Sequence, residues 1–473
     1  MRDKKTKIIA TISDLRCDVP FLKKLYERGM DVVRINTAHQ TPDATLKVIH
    51  NIRKVSDAIP VMIDTKGPEI RTTNSVSGIS LKKGAFVLVR TDKKTSNEKV
   101  IFVTYKGFVK EVEKGSTILI DDGEITLHVV SKTPKELRCK IVAGGSINKD
   151  KKSVVVPDGK LRLPSLTSKD KEYIAFAAKH DIEFIAHSFV RNKKDVLAIQ
   201  NILDKHNSKV KIIAKIENQE GVDHIDEILE QVYGVMVARG DLGVELPVEQ
   251  VPFIQKKLIR KCIIMSKPVI TATQMLQSMM KSPRPTRAEV SDVANAIFDG
   301  TDAVMLSGET SYGDYPVEAV EMMARIAKQV ESKKAAFIKA PLKNHNGVRH
   351  FLSKSAVYAS LLLPTKAIII PTSSGTSARI VASYRGKNTL YAKCFSKRVM
   401  RELMLSYSVH PSYMKQPKTT DELVTCSLTA LVKEKKLKKD DLVIILAGTP
   451  GDEKGGANFL EINLVKRCLE TYR

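Results

Sequence analysis

The chain has 473 residues, 42% of them hydrophobic, enough for two or three domains with separate cores and too much for a disordered protein. No apolar run approaches the roughly 18 residues of a membrane span, and the opening "MRDKKTKIIATIS" lacks a signal peptide's apolar core and cleavage site, so a soluble, cytoplasmic protein with no membrane partner is expected. Lys plus Arg total 78 against 53 acidic residues, a formal net charge of +25; without tryptophan, a stacking surface or a nucleic-acid module, that excess reads as solvated faces such as "KEKKLKK" at 433–439, and no nucleic-acid partner is expected.

Short β-branched runs alternate with segments of helical period from the start: strand "KIIATIS" (7–13), helix "VPFLKKLYERGM" (19–30), strand "DVVRINTA" (31–38), a helix at about 41–57, and strand "PVMIDTKG" (60–67). From about 72 to 158 the rhythm changes to short strands with turn signals and no long helix, which reads as an inserted all-β module. The α/β rhythm then resumes with helix 168–180 and strands "FIAHSFV" (184–190), "KIIAKIEN" (211–218), "GVMVARGD" (234–241), "PVITATQ" (268–274) and "AVMLSGE" (303–309). Eight strands and eight helices predict a (β/α)8 TIM barrel interrupted after its third strand, with its chemistry at the C-terminal strand ends. Past residue 340 a second α/β rhythm marks a C-terminal domain, with strand "KAIIIPTSS" and late strands "DLVIILAG" and "FLEINLV". The expected boundaries are 1–71 and 159–340 for the barrel, 72–158 for a lid-like insert and 341–473 for the last domain. The six cysteines, Cys17, Cys139, Cys262, Cys394, Cys426 and Cys468, form no CxxC or Cys/His cluster and read as reduced structural thiols.

The strand ends carry Arg34 and Asn36, Asp64 and Lys66, Ser188, Lys215 and Glu217, Arg239 and Asp241, Thr273, and Ser307 with Glu309. A purely structural barrel fills its interior with Val, Ile and Leu, so a ring of charge and hydroxyl reads as a site. Lys215 and Glu217, two apart in a strand, face the same way. Glu217 and Asp241 are expected to end neighbouring strands about 5 Å apart, close enough to share a hard cation, Mg2+ or Mn2+; two solvated rim acids, or partners of Lys215 and Arg239, are the plain alternative. Carboxylates and cations around one mouth suit a phosphate or phosphorylated carboxylate bridged by metal. No Walker A motif is present.

"RINTAH" (34–39), "MIDTKGPEIRT" (62–72), "AKIENQEGV" (214–222), "VARGDLGVELP" (237–247), "TATQML" (271–276) and "PTRAEVSDVANAIFDGTDAVMLSGET" (285–310) resemble pyruvate kinase in order and spacing, over essentially the whole chain. The resemblance implies phosphoryl transfer from phosphoenolpyruvate to ADP, giving pyruvate and ATP, the final step of glycolysis, in a homotetramer. It implies Glu217 and Asp241 as ligands of Mg2+ (or Mn2+), Lys215 as the charge on the phosphoryl in flight, and Arg34 on the transferring phosphate. The backbone of Ala238, Arg239 and Gly240 would receive the substrate carboxylate near Thr273, and Thr273 with Ser307 and Glu309 would form a proton path. Arg34, Asn36, His39, Arg71 and Lys152 match nucleotide-binding positions. A K+ site is implied at Asn36, Asp64 and the Thr65 carbonyl, but Ala38 stands where the family's fourth ligand is serine; Glu69 is kept where ion-independent members carry lysine.

The insert resembles the family's mobile lid, with Asp121 matching a lid acid. "KKSVVVPDG" departs from the usual KGVNLPG, however, at Ser153, Val155 and Asp158. The loop Thr372, Ser373, Ser374, Gly375, Thr376 and Ser377 reads equally as a plain strand-to-helix turn or a phosphate cradle; the resemblance implies a phosphorylated effector there. "AGTPGDEKGGAN" (447–458) also matches, with Ala457 for a usual threonine. Two other classes remain: a carbon–carbon lyase barrel with a similar metal strand, which would lack the lid, and a basic scaffold or nucleic-acid binder, which needs no Lys215, Glu217, Asp241 and Thr273 together.

Overall fold

The computed structural model describes residues 3–38, 40–75, 78–92, 94–147, 151–157, 159, 161–333, 347–449 and 456–472. His39 and Asp158, and residues 450–455 of the 447–458 loop, lie outside them. Eight parallel strands close into a barrel, each paired with its neighbours in sequence and the last with the first. They are β1 (Lys7–Thr11), β2 (Val32–Asn36), β3 (Val61–Asp64), β4 (Phe184–His187), β5 (Lys211–Ile216), β6 (Gly234–Ala238), β7 (Val269–Ala272) and β8 (Ala303–Leu306).

Alternation along these strands sorts the side chains. Ile8, Val33, Ile63, Ile185, Ala214, Val235 and Val304 face the surrounding helices in the largest core. Ile9, Val32, Met62, Ala186, Ile213, Met236, Ile270 and Met305 fill the barrel interior. Two residues further along the inward set stand Thr11, Arg34, Asp64, Ser188, Lys215, Ala238, Ala272 and Ser307. Six of these eight are polar, so most of the polar ring is the next rung of the hydrophobic ladder, placed at the mouth by a period of two, with Ala238 and Ala272 as its apolar members.

Between β3 and β4 the chain builds a six-stranded sheet, ordered Val154–Val155, Thr117–Ile120, Ile125–Lys132, Leu137–Ala143, Phe86–Arg90 and Val100–Phe102, beside the small pair Ile79–Leu81 and Gly145–Ile147. Its core is separate from the barrel's. It is not wholly β, since one helical turn, Phe108–Glu111, packs Phe108 and Val109 inward. The helix Ser168–Lys179 begins with a capping box of Thr167 and Asp170. Asp170 also accepts from the Lys66 (2.9 Å) and Gly67 (3.3 Å) amides, so one helix cap holds the loop leaving β3 toward the insert.

The C-terminal sheet contains β9 (Ala367–Thr372), β10 (Thr389–Cys394), β11 (Val409–Tyr413), β12 (Leu442–Ala447) and β13 (Phe459–Leu464), ordered β11-β10-β9-β12-β13 with only β13 antiparallel. Two of these, β10 and β11, have no counterpart in the sequence reading. "TLYAKC" and "VHPSY" are short and polar at alternate positions, and tertiary pairing makes them strands. This unit meets the barrel floor: Leu405 joins the interior cluster, Lys7 Nζ donates to the Val409 carbonyl (2.6 Å), and Arg385 clasps Asp302 through two hydrogen bonds of 3.1 and 2.7 Å. All six cysteines are free thiols, five of them buried. Among the described residues no helix is long and apolar enough to cross a membrane.

Candidate active site

Five strand ends, those of β1 to β5, meet in one chain of contacts at the mouth. Arg34 Nε lies 2.6 Å from Asp64 Oδ2, and its NH1 donates to Thr11 Oγ1. Lys215 Nζ sits 3.2 Å from Asp64 Oδ1 and 2.9 Å from Glu217 Oε1. It also donates to the Ser188 hydroxyl (2.7 Å), which itself donates to the Thr65 carbonyl (2.7 Å). Glu217 Oε2 accepts from the Phe189 amide at 2.6 Å. Lys215 and Glu217 thus do share a face. Ser188, in the sequence only a strand-end hydroxyl, bridges Lys215 to the β3 exit.

Backbone geometry supports these contacts. Gly67, at φ +72°, could not carry a Cβ without meeting the Phe189 ring at 2.7 Å and Ser188 Cβ at 2.9 Å. Only glycine combines that conformation with that close approach.

Asp241 does not end a strand. β6 stops at Ala238, and Arg239–Glu245 is a helix that carries Asp241 in its first turn. Its carboxyl still converges on Glu217. Burial and then the Glu217 charge, with smaller help from Asp122, outweigh Lys215 and raise Asp241 to about 7. Glu245, missed in the sequence, is likewise pushed up to about 7 by burial and by Glu217. Burial alone would raise Asp64 too, but Arg34 and Lys215 overcome it and hold its carboxyl below the ordinary range. Burial would lower Lys215, yet Asp64, Glu217 and Asp241 together raise it, so its ammonium stays charged.

The donor set suits a hard divalent cation. Glu217 and Asp241 crowd negative charge together, while among the described residues no three His, Cys, Asp or Glu side chains cluster tightly enough to hold a metal alone. Mg2+ commonly takes one or two carboxylates and completes its shell with substrate phosphate and water.

A second cluster surrounds Thr273, a β-branched residue at φ +67°, a costly conformation that the neighbouring contacts must enforce. The Arg239 guanidinium enforces it by donating to the Thr273 carbonyl (2.8 Å) while paired with Asp292 (2.6 Å). The Arg239 side chain is therefore occupied within the scaffold. The Gly240 amide donates to Thr273 Oγ1 (2.7 Å), and Glu309 receives the Ser307 (2.8 Å) and Leu276 (3.1 Å) amides, tying the β7 and β8 loops together.

At the root of the insert, Lys152 pairs with Asp121 (2.7 Å) and Arg71 with Glu69 (2.8 Å). Asp122, one residue beyond the expected lid acid, accepts from the Ser153 hydroxyl (2.9 Å), and its charge reaches Asp241. Asn36 Oδ1 accepts from the Ala38 amide (3.1 Å), and Lys169 Nζ donates to the Ala38 carbonyl (3.1 Å). In the C-terminal unit the Gly375 amide bonds Thr372 Oγ1 (2.9 Å), and the Ser374 and Thr376 hydroxyls bond each other (3.1 Å). Much of that loop's polarity is spent internally.

With this geometry in hand, known proteins give a consistent match. A family model described as pyruvate kinase, barrel domain, matches residues 3–320, and one described as pyruvate kinase, alpha/beta domain, matches 350–463. The chain is 50% identical over 476 residues to a pyruvate kinase of Borreliella burgdorferi, covering 99% of both, and 44% identical to one of Geobacillus stearothermophilus, covering 98% of this chain and 81% of that protein. A crystal structure of a pyruvate kinase from Cryptosporidium parvum superposes with a TM-score of 0.91 at 35% identity, covering 98% of this chain and 96% of the other. The fold, the matched segments and identity sustained over nearly the full length converge on one assignment: this chain belongs to the pyruvate kinase family.

Proposed function

We propose that this chain transfers the phosphoryl group of phosphoenolpyruvate to ADP, producing pyruvate and ATP. The observation that carries the reading is the Lys215 ammonium, only 11% exposed and held charged between Asp64 and Glu217 at the barrel mouth. Such a transfer is mainly positioning and charge neutralisation. The bond from phosphorus to the enol oxygen breaks as one forms to a β-phosphate oxygen of ADP, and the enolate left behind takes a proton at its methylene carbon. Lys215 and Arg34 face the moving negative charge. Thr273, fixed by Arg239 and Gly240, stands on the proton side, with Ser307 next to it in the relay and Glu309 holding the two loops. The backbone of Ala238, Arg239 and Gly240 receives the substrate carboxylate.

Members of this family depend in general on a divalent metal and on K+. Glu217 and Asp241 would hold Mg2+ or Mn2+, which when bound neutralises and orients phosphate oxygens. Asn36, Asp64 and the Thr65 carbonyl would hold K+, with water in place of the hydroxyl that Ala38 lacks, so K+ still stimulates but at higher concentration than in serine-bearing relatives. Asn36, Arg71 and Lys152, with Arg34, would contact the nucleotide beneath the closing insert. The 372–377 loop would take a phosphorylated effector. The exposed Val348, Phe351, Tyr358 and Leu362 on the helix Val348–Leu362 suit a further copy in a homotetramer, and the reaction belongs to the end of glycolysis in the cytoplasm.

A coupled assay for pyruvate from phosphoenolpyruvate and ADP, run with and without Mg2+, tests the reading. Turnover that needs both substrates and the metal supports it. No pyruvate under any metal condition overturns it.

A further inference from the structure

The Lys215 ammonium is met by three acceptors at the ends of three strands. Ser188 Oγ after β4 stands at 2.7 Å, Glu217 Oε1 after β5 at 2.9 Å and Asp64 Oδ1 on β3 at 3.2 Å. An ammonium carries three N–H donors, so each has its own acceptor. Two of the acceptors are buried carboxylates, which draw the charge toward β3 and toward the end of its own strand. Ser188 is neutral and holds the ammonium from β4, the strand that lies between β3 and β5.

The Ser188 hydroxyl is itself set in direction. Its single proton has two acceptors in reach, the Thr65 carbonyl at 2.7 Å and Asp64 Oδ1 at 3.3 Å. The shorter contact takes the proton, which leaves a lone pair facing Lys215. The Ser188 amide donates to Thr65 Oγ1 (3.1 Å), so Thr65 grips this buried serine by backbone and side chain together. The next residue continues the arrangement. Phe189 adopts φ +56°, a costly conformation for a residue with a Cβ, and its amide donates to Glu217 Oε2 (2.6 Å). Two consecutive residues after β4 therefore hold the two charged side chains that end β5, Ser188 on Lys215 and Phe189 on Glu217.

We propose that Ser188 is a positioning residue for the phosphoryl step, balancing the Lys215 ammonium against Asp64 and Glu217 so that it faces the moving phosphoryl group. The inference rests on the phosphotransfer reading above. Without the hydroxyl, the third N–H has no acceptor and the pull of the two carboxylates is unopposed, so the ammonium settles toward them. The charge is needed most while the phosphoryl is in flight. Its misplacement therefore weakens the transition state more than the binding of phosphoenolpyruvate.

The test is turnover of wild type, Ser188→Ala and Ser188→Cys at saturating Mg2+ over a range of KCl, with crystal structures of all three. Cysteine keeps the shape of serine, but its sulfur is a weak acceptor. In both variants kcat is expected to fall roughly tenfold or more, as loss of a hydrogen bond to a charged group does. The KM for phosphoenolpyruvate and the Mg2+ concentration for half-maximal activity are expected to stay within about twofold of wild type. Lys215 Nζ is expected to lie closer to Asp64 and Glu217 than in wild type. Ser188→Cys carries the test if Ser188→Ala does not fold. Four results overturn the proposal: a kcat within about twofold of wild type, a loss that added KCl restores, which places the effect on the Thr65 carbonyl, a rise in the Mg2+ requirement that accounts for the loss, or an unmoved Nζ. A wild type that makes no pyruvate overturns the phosphotransfer reading instead, and the Nζ displacement is read without turnover.

Discussion

Both ends of the barrel bury charge, and they finish it differently. At the floor, Asp302 takes both Arg385 hydrogen bonds and the Val269 and Tyr407 amides, and Glu183 takes Arg401 and the Val61 amide. Those carboxylates are fully spoken for, as buried charges in a scaffold must be. At the mouth, Asp241 is pushed up against Glu217, Lys215 faces three carboxylates, and Thr273 is held at positive φ. Satisfied charge joins the C-terminal unit to the barrel. Unbalanced charge and stored strain sit where a ligand enters, so substitutions at the two ends should fail in different ways.

The largest expected effect is at the mouth. Lys215→Ala removes a charge needed most while the phosphoryl is in flight, so kcat should drop by roughly three orders of magnitude or more while phosphoenolpyruvate still binds. The fold should survive, since Arg34 continues to pair Asp64. Near-normal kcat would remove Lys215 from the chemistry. Arg385→Ala is the counterpart at the floor: it strands Asp302, whose side chain is 4% exposed, and should cost about 3–5 kcal/mol of stability in urea unfolding. The kcat of the folded protein should stay close to wild type. A large loss of kcat there, with stability intact, would erase the distinction between the two ends.

A smaller effect is expected at the metal carboxylates. Glu217→Gln and Asp241→Asn each remove one anionic donor and should raise the Mg2+ concentration for half-maximal activity on the order of tenfold or more. Unchanged metal dependence in both variants would place the cation elsewhere.

How much of this was legible in the sequence follows from the range of the interactions. Period-two alternation carried Arg34, Asp64, Lys215 and Glu217 onto one inward face, because strand direction is local information. Asp241 was placed on a strand, since "GVMVARGD" reads as one continuous run; the turn into a helix after Ala238 is set by the Arg239 contacts with Asp292 and Thr273, 53 and 34 residues away. The same contacts explain why the Arg239 side chain is scaffold. Ser188 as a bridge, Asp122 beside the expected Asp121, and Glu245 near Glu217 depend on the insert and loops folding over the mouth, which no local pattern records. The floor pairs were invisible for the same reason: Arg385 reaches Asp302 across 83 residues and Arg401 reaches Glu183 across 218.

The smallest effect concerns acid and isolates the floor. His410 lies on β11, next to the Val409 carbonyl that accepts from Lys7. Burial first, then the Lys7 charge, with Lys4 and Lys436 adding to it and Asp31 opposing, lowers its imidazole to about 3. In the unfolded chain a histidine titrates near 6.5, so between those values the unfolded state binds a proton that the folded state refuses. The stability His410 contributes is therefore fully present above about pH 6.5 and is lost as pH falls toward 3, by up to about 1.4 kcal/mol per unit. Between pH 7.5 and 5.5 His410 alone should account for a loss of roughly that size, read in urea unfolding as the difference between wild type and His410→Gln, because Asp241 and Glu245, raised to about 7, and His187, lowered to about 4, also change stability in that interval. His410→Gln should remove that contribution and leave the others in place, while kcat, governed by the opposite end of the barrel, should show the same pH dependence in variant and wild type. An unaltered stability slope in His410→Gln would mean that the acid-sensitive charge at the floor is another group. A changed kcat profile would mean that the two ends are coupled after all.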